Sequence, residues 1–266
     1  MNSRLNTVWR TLLLLFCGIV ALWLVAPSLV VIPLSFTDRP TFTFPPEGWS
    51  TQWYANFFSD PSWMAALQAS IQVGVLVAIV ATVCGTAAAL ALSRTRFFGQ
   101  QGLRALLLAP MLVPVIVIAI GLYALFLRLN LLGTTFGFVV AHSVLALPFV
   151  IIPVMASLQG FDRRLEDAAA ICGAGRWTAF RTVTLPLVAP GVLSGAVFAF
   201  ATSFDEVVLS LFIQSPYLQT LPVRMYSSVT RDTDPTIAAA ATLILALTTV
   251  VTVLASIYAT RRRNVG

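Results

Sequence analysis

Charged residues are so sparse along this chain that they divide it into long apolar blocks. The uncharged stretches 11–37, 61–93, 105–127, 129–161, 182–204 and 235–260 each hold at least 23 residues. A helix needs about 20 apolar residues to cross the hydrocarbon core of a bilayer, so the pattern predicts six membrane-spanning helices. Their expected extents are about 11–35, 65–92, 105–127, 135–158, 188–212 and 236–260. A further uncharged stretch, 207–223, has 17 residues and includes Gln214, Ser215, Pro216, Gln219 and Pro222, so it makes a poor independent span. The expected fold is an all-α integral membrane protein, a single domain over residues 1–266.

The first apolar run is too long for the core of a secretory signal, about 7–15 residues, and no small-x-small cleavage site closes it, so it reads as a retained helix. Arginine placement sets the orientation. With six spans, Arg4, Arg10, Arg94, Arg96, Arg104, Arg163, Arg164, Arg176, Arg181, Arg261, Arg262 and Arg263 share one side, against Arg39, Arg128, Arg224 and Arg231 on the other. The positive-inside rule then places both termini in the cytoplasm. The outer segment 38–63 mixes Asp38, Glu47 and Asp60 with Trp49, Trp53, Tyr54 and Trp63, which suits an aromatic interfacial belt or a docking surface. Proline recurs inside the spans (Pro27, Pro33, Pro110, Pro114, Pro148 and Pro153), and each freed backbone group must be satisfied by neighbouring helices or water.

Composition narrows the chemistry. Hydrophobic residues make up 58% of the chain, charged residues 10%, and mean hydropathy is +0.90, which excludes most soluble enzyme classes. All sixteen basic residues are arginine, so the chain has no lysine for a phosphate-binding P-loop or a Schiff base. The net charge of +6 is distributed by topology and gives no reason to expect nucleic acid. Cys17, Cys84 and Cys172 are far apart and lack paired spacing, so they read as small apolar fillers, with no metal site or cofactor expected.

The segment between the fourth and fifth spans, 162–191, is far more charged than its surroundings yet patterned. Asp162 is placed to cap a short helix through Ala168, Ala169 and Ala170, and Gly173 and Gly175 supply a stop and a tight turn. Trp177, Phe180 and Val183 then recur every three residues, predicting a second short helix with one apolar face before Leu185-Pro186. Two short helices joined by a glycine turn form a cytoplasmic knob that has to rest against something.

This segment resembles the EAA loop of importer-type ABC transporter permeases, whose pattern is E-A-A, three residues, G, nine residues, I-x-L-P. The chain carries Asp167-Ala168-Ala169, three residues, Gly173, nine residues, Val183-Thr184-Leu185-Pro186. Asp stands for Glu, with Glu166 just before it, and Val stands for Ile; either Glu166 or Asp167 is the acidic side chain that makes the polar contact. The resemblance implies a type I ABC importer permease fold with a cytoplasmic coupling helix in an EAA loop over 162–187. It also implies that Glu166, Asp167, Ala168, Ala169, Gly173, Leu185 and Pro186 couple the chain to a separate ATPase. Two ATPase subunits, a second permease or a copy of this chain, an extracytoplasmic solute-binding protein and a bacterial plasma (inner) membrane are implied as partners and setting, with no catalysis by the chain itself.

The segments 203–212 (S-F-D-E-V-V-L-S-L-F), 219–227 (Q-T-L-P-V-R-M-Y-S) and 234–243 (D-P-T-I-A-A-A-A-T-L) resemble the spermidine/putrescine branch of these permeases. Polyamines are flexible polycations, and Asp205 and Glu206, ionisable groups toward the outer third of the fifth span, are the candidate substrate-pathway residues; a polar contact between helices or subunits suits them equally. His142, alone in the fourth span, is expected to make a structural hydrogen bond between helices rather than relay protons. From another class, an ion-coupled secondary carrier for a small cationic solute would place coupling carboxylates deep in the spans and needs no folded knob inside. An intramembrane enzyme lacks H-E-x-x-H, G-x-S-x-G or any legible cysteine–histidine constellation.

Overall fold

Long apolar runs with capped ends give a helical protein. A computed structural model describes residues 2–95, 97–232 and 234–263, and within them there are helices and two isolated β-bridges but no named strand. The helices are α1 (Asn2–Leu34), α2 (Gln52–Ser59), α3 (Pro61–Arg94), α4 (Gln100–Leu108), α5 (Val115–Leu129), α6 (Thr135–Gln159), α7 (Arg164–Ile171), α8 (Arg176–Ala179), α9 (Leu185–Phe204), α10 (Val208–Ile213), α11 (Leu221–Ser227) and α12 (Thr236–Arg263). Several starts follow side-chain capping. Asp60 Oδ1 accepts the Ser62 N–H (2.7 Å) at the head of α3, where Pro61 needs no partner. Thr134 Oγ1 accepts the Gly137 N–H (3.0 Å) at α6, and Asp234 Oδ1 accepts the Thr236 N–H (2.9 Å) at α12.

The chain forms two compact units. Residues 65–226 hold an apolar core in which α6 packs lengthwise on α9. Small residues permit that approach: a Cβ on Gly191 would lie 2.6 Å from the Pro153 carbonyl oxygen, and one on Gly195 3.0 Å from Val150 Cα. Gly191 and Gly195 are four apart, the spacing that lets two membrane helices meet backbone to backbone. Phe126, Phe138, Val150, Ile151, Val154, Leu209 and Ile213 fill the rest of this core. The other unit, residues 1–64 with 227–266, joins α1 and α2 to α12. There Asn56 Nδ2 donates to Thr236 Oγ1 (2.7 Å), Tyr54 and Ser35 share a hydroxyl bond (2.6 Å), and Trp53 Nε1 donates to the Thr37 carbonyl (2.7 Å). These bonds, with the Arg39–Glu47 ion pair (2.7 Å), knit the 35–60 segment into a folded cap.

Among the described residues four helices are long and apolar enough to cross a membrane: Trp9–Leu34, Pro61–Arg94, Thr135–Gln159 and Arg176–Phe204. A fifth arises if Gln100–Met111 and Val115–Leu129 form one span. Here the structure departs from the expected straight helix over 105–127, because the two pieces meet at 100°. Pro110 and Pro114 explain the bend: neither supplies an N–H, and each restricts the residue before it. The count of six is therefore not reached on these criteria. Thr236–Val250 is a shorter apolar helix, and the side chains of the rest of the expected last span lie outside the described residues, as do those of Arg4, Arg96, Arg231 and Arg261–Arg263 in the orientation tally.

Two further differences concern the fifth span. Its helix begins well before residue 188, because α8 runs through a π-helical turn, Phe180–Thr184, directly into α9. The expected second helix of the loop is thus the foot of the span itself. The helix also stops at Phe204, and α10 restarts at Val208, so Asp205 and Glu206 sit in a break and not on a continuous helix to residue 212.

Candidate functional site

The loop after α6 folds from local rules. Asp162 Oδ1 accepts the Arg164 N–H (2.9 Å) at the start of α7. At its end Gly173 adopts φ +88°, its N–H bonds to the Ala170 carbonyl (2.9 Å), and the Ala174 N–H reaches back to Ala169 (2.9 Å). That paired pattern closes a helix through a left-handed residue, a conformation that costs any residue with a Cβ about 1–2 kcal/mol. Apart from the glycine and its two chain neighbours, nothing lies within 4 Å of where a Gly173 Cβ would be, so the glycine is required by backbone angle and not by crowding within the chain.

Glu166 and Asp167 are separated by their surroundings. Glu166 is half-buried, and its Oε1 accepts from Arg94 Nη2 at the end of α3 and from Thr184 Oγ1 at the foot of α9. Asp167 is exposed, as are Ala168, Ala170, Gly173 and Pro186, while Ala169 and Leu185 are half-buried. Ile171 (87% exposed) and Trp177 (70% exposed) give the knob an apolar surface. Trp177 stacks on Phe180 (5.5 Å between ring centroids), and along the expected apolar face Trp177 is exposed while Phe180 and Val183 are half-buried.

At the opposite end of α9, Asp205 is exposed and Glu206 half-buried. Glu206 Oε1 accepts the Leu209 N–H (2.8 Å), capping α10, and its carbonyl accepts from Ser210 Oγ (2.8 Å). His142 spans this break from α6: Nδ1 bonds Ser203 Oγ (2.9 Å) before it and Nε2 bonds Ser210 Oγ (3.1 Å) after it. Because the Ser210 hydroxyl donates to Glu206, its oxygen accepts from His142 Nε2–H, and Ser203 then donates to Nδ1. The expected structural bond between helices is therefore present, and it bridges three elements. Sequence reasoning missed the roles of Arg94, Thr184, Ser203 and Ser210; the only signal was polarity inside otherwise apolar or terminal helix positions.

Among the described residues no group of three or more His, Cys, Asp or Glu side chains is gathered to hold a metal ion. Residues 81–264 match the family described as the binding-protein-dependent transport system inner membrane component. The chain is 36% identical to the spermidine/putrescine transport system permease protein PotC of Escherichia coli (strain K12) over 240 residues, 89% of each chain. It is 34% identical to the putrescine transport system permease protein PotI of the same organism over 244 residues, 89% of this chain and 85% of that one. In fold it is similar to a bacterial ABC transporter involved in import of the acidic polysaccharide alginate, with a TM-score of 0.72 and 16% identity over 97% of this chain and 98% of that one. This multi-pass, helical membrane protein belongs to the binding-protein-dependent transport system inner membrane components.

Proposed function

We propose that the chain is a permease subunit of an ATP-driven ABC importer, forming half of a translocation pathway for polyamines such as spermidine and putrescine. The observation that carries this is the loop of residues 162–186, whose acidic residue, alanines and glycine fold into a closed helix on a chain 36% identical to a spermidine/putrescine permease. Glu166, Asp167, Ala168, Ala169, Gly173, Leu185 and Pro186 make up the coupling region, whose exposed side, with Asp167 and the small residues, is seated against one of two separate ATPase subunits that do the hydrolysis, while Glu166 bonds to its own chain. The exposed small residues leave room for a partner surface to come close.

Alternating access needs two halves around one site, so this chain pairs with a homologous permease or with itself, and an extracytoplasmic solute-binding protein delivers the solute. The whole chain acts as one permease domain in the bacterial plasma membrane, with both termini cytoplasmic as the arginine distribution favours. Asp205, exposed at the helix break, is the foremost candidate to attract a polycation, with Glu206 holding the break in shape. An ion-coupled secondary carrier is not favoured, because the relatives are components of binding-protein-dependent systems.

The test is to purify the tagged chain from its native membrane with whatever binds it and rebuild the complex in vesicles. With ATP supplied at the cytoplasmic face, labelled spermidine should accumulate against its gradient when the binding protein is present. Equal accumulation by this chain alone, with no nucleotide, would reject the importer.

A further inference from the structure

The two covalent links between α7 and the spans are poor conveyors of force. One passes through Gly160 and the other through Gly173 and Gly175, and glycine gives a chain its least directional joints. Side chains supply what the backbone lacks. Glu166, in the first turn of α7, binds both Arg94 and Thr184, and Arg94 Nη2 also reaches Thr184 Oγ1 (3.3 Å), so three side chains from three elements close a triangle. Arg163, one turn earlier, donates from Nη2 to the Ser93 carbonyl (2.6 Å) and from Nη1 to the Arg94 carbonyl (3.4 Å). Those carbonyls end α3, where the last turn lacks intrahelical donors and the dipole favours a cation. Thr184 is fully buried at the end of the π-helical turn, directly before α9.

Resting on the importer function above, we propose that Glu166 is a positioning residue: with Arg94 and Thr184 it clamps the coupling helix to the inner ends of α3 and α9, and Asp167 is left to face the ATPase. The clamp is a joint that passes rotation of α7 into two spans at once. Its contribution is to geometry more than to stability, since a partly exposed ion pair adds little to folding.

The experiment uses the complete transporter in vesicles and reads three quantities: ATPase retained on purification, ATP hydrolysis, and polyamine uptake per ATP. Glu166→Arg and Arg94→Glu should each retain the ATPase but lower uptake per ATP by about three- to thirtyfold, the range for breaking a coupling contact. The double exchange, Glu166→Arg with Arg94→Glu, restores the opposite charges and should recover most of the loss, a result that general destabilisation does not give. Thr184→Val should move uptake per ATP in the same direction by less, with Thr184→Ser close to the unaltered chain; this milder pair answers the question even where a charge reversal lowers the amount of protein in the membrane. A double exchange no better than the worse single variant, with Thr184→Val unchanged, would overturn the clamp. Loss of the ATPase from Glu166→Arg alone would overturn it differently, by giving Glu166 the docking role. If no ATPase accompanies the unaltered chain, the importer function itself fails and the clamp falls with it.

Discussion

Two pairs of adjacent acidic residues, one in α7 bonded to the foot of α9 and one in the break that follows α9, are divided in the same way. In the loop, Glu166 is tied inward and Asp167 is exposed; at the far end, Glu206 is tied and Asp205 is exposed. The ties differ in reach. Glu166 holds side chains 72 and 18 positions away, whereas Glu206 holds a backbone N–H three residues on. The first joins separate elements and the second shapes its own segment. A carboxylate pair read from sequence is thus two different chemical objects: one member spent on structure and one available to a partner or a solute.

The largest effect should come from Gly173. Its positive φ is incompatible with a bulky side chain, and in the proposed complex its surface faces another subunit. Gly173→Trp should leave the protein in the membrane and abolish both ATPase retention and uptake. Smaller substitutions separate angle from space. Asparagine tolerates the left-handed region better than alanine although it is larger. If the backbone angle dominates, Gly173→Asn keeps more uptake than Gly173→Ala; the reverse order would place the constraint in the partner's groove.

A second comparison sets the exposed carboxylate against the tied one. Asp205→Asn should raise the polyamine concentration for half-maximal uptake by about ten- to a hundredfold, the value of one charge-assisted bond. Glu206→Gln keeps an oxygen that accepts the Leu209 N–H and should change uptake less, while Glu206→Ala removes the cap and should lower thermal stability by about 1 kcal/mol. Equal sensitivity of uptake to Asp205→Asn and Glu206→Gln would dissolve the division of labour.

These contrasts also show which physics is legible in a linear sequence. The loop helix, its Asp162 cap and its glycine stop depend on neighbours within about four residues, and they emerged from spacing alone. So did the apolar blocks, because lipid imposes composition over a whole span. What escaped depends on contacts across the fold. Nothing local marks Arg94 as the partner of Glu166, and the bridge across the interruption at Asp205 joins His142 to Ser203 and Ser210, which are far from it in sequence. The bend at Pro110 and Pro114 was visible as proline but not as 100°, since proline permits a kink without fixing its size. The merging of α8 into α9 was hidden because a π-helical turn leaves no periodic signature.

His142 tests whether the break after α9 is held by α6 or by its own cap. Removing the imidazole by His142→Ala leaves the buried Ser203 and Ser210 hydroxyls each short of a partner, at a cost of about 1–3 kcal/mol in thermal stability. His142→Gln keeps one donor and one acceptor and should recover part of it. Uptake should follow stability for both variants, because the ring touches neither carboxylate. A variant that stays stable yet stops carrying polyamine would instead assign His142 a direct part in transport.

The smallest effect belongs to Asp162, and it sharpens the comparison at the loop. Its carboxylate caps α7 through the Arg164 N–H, an exposed contact, so Asp162→Ala should cost about 0.5–1 kcal/mol locally. Whether that loss reaches transport depends on what holds α7 in place. Where Glu166 and Arg163 fasten the helix to α3 and α9, a frayed first residue leaves the clamp intact, and hydrogen exchange should quicken at residues 163–165 while uptake per ATP is unchanged. Where the helix is instead positioned by its own end, the same substitution should loosen the whole of Arg164–Ile171 and lower coupling as much as Glu166→Arg does. The two outcomes differ in the extent of the accelerated segment, which resolves them even though the energy involved is small.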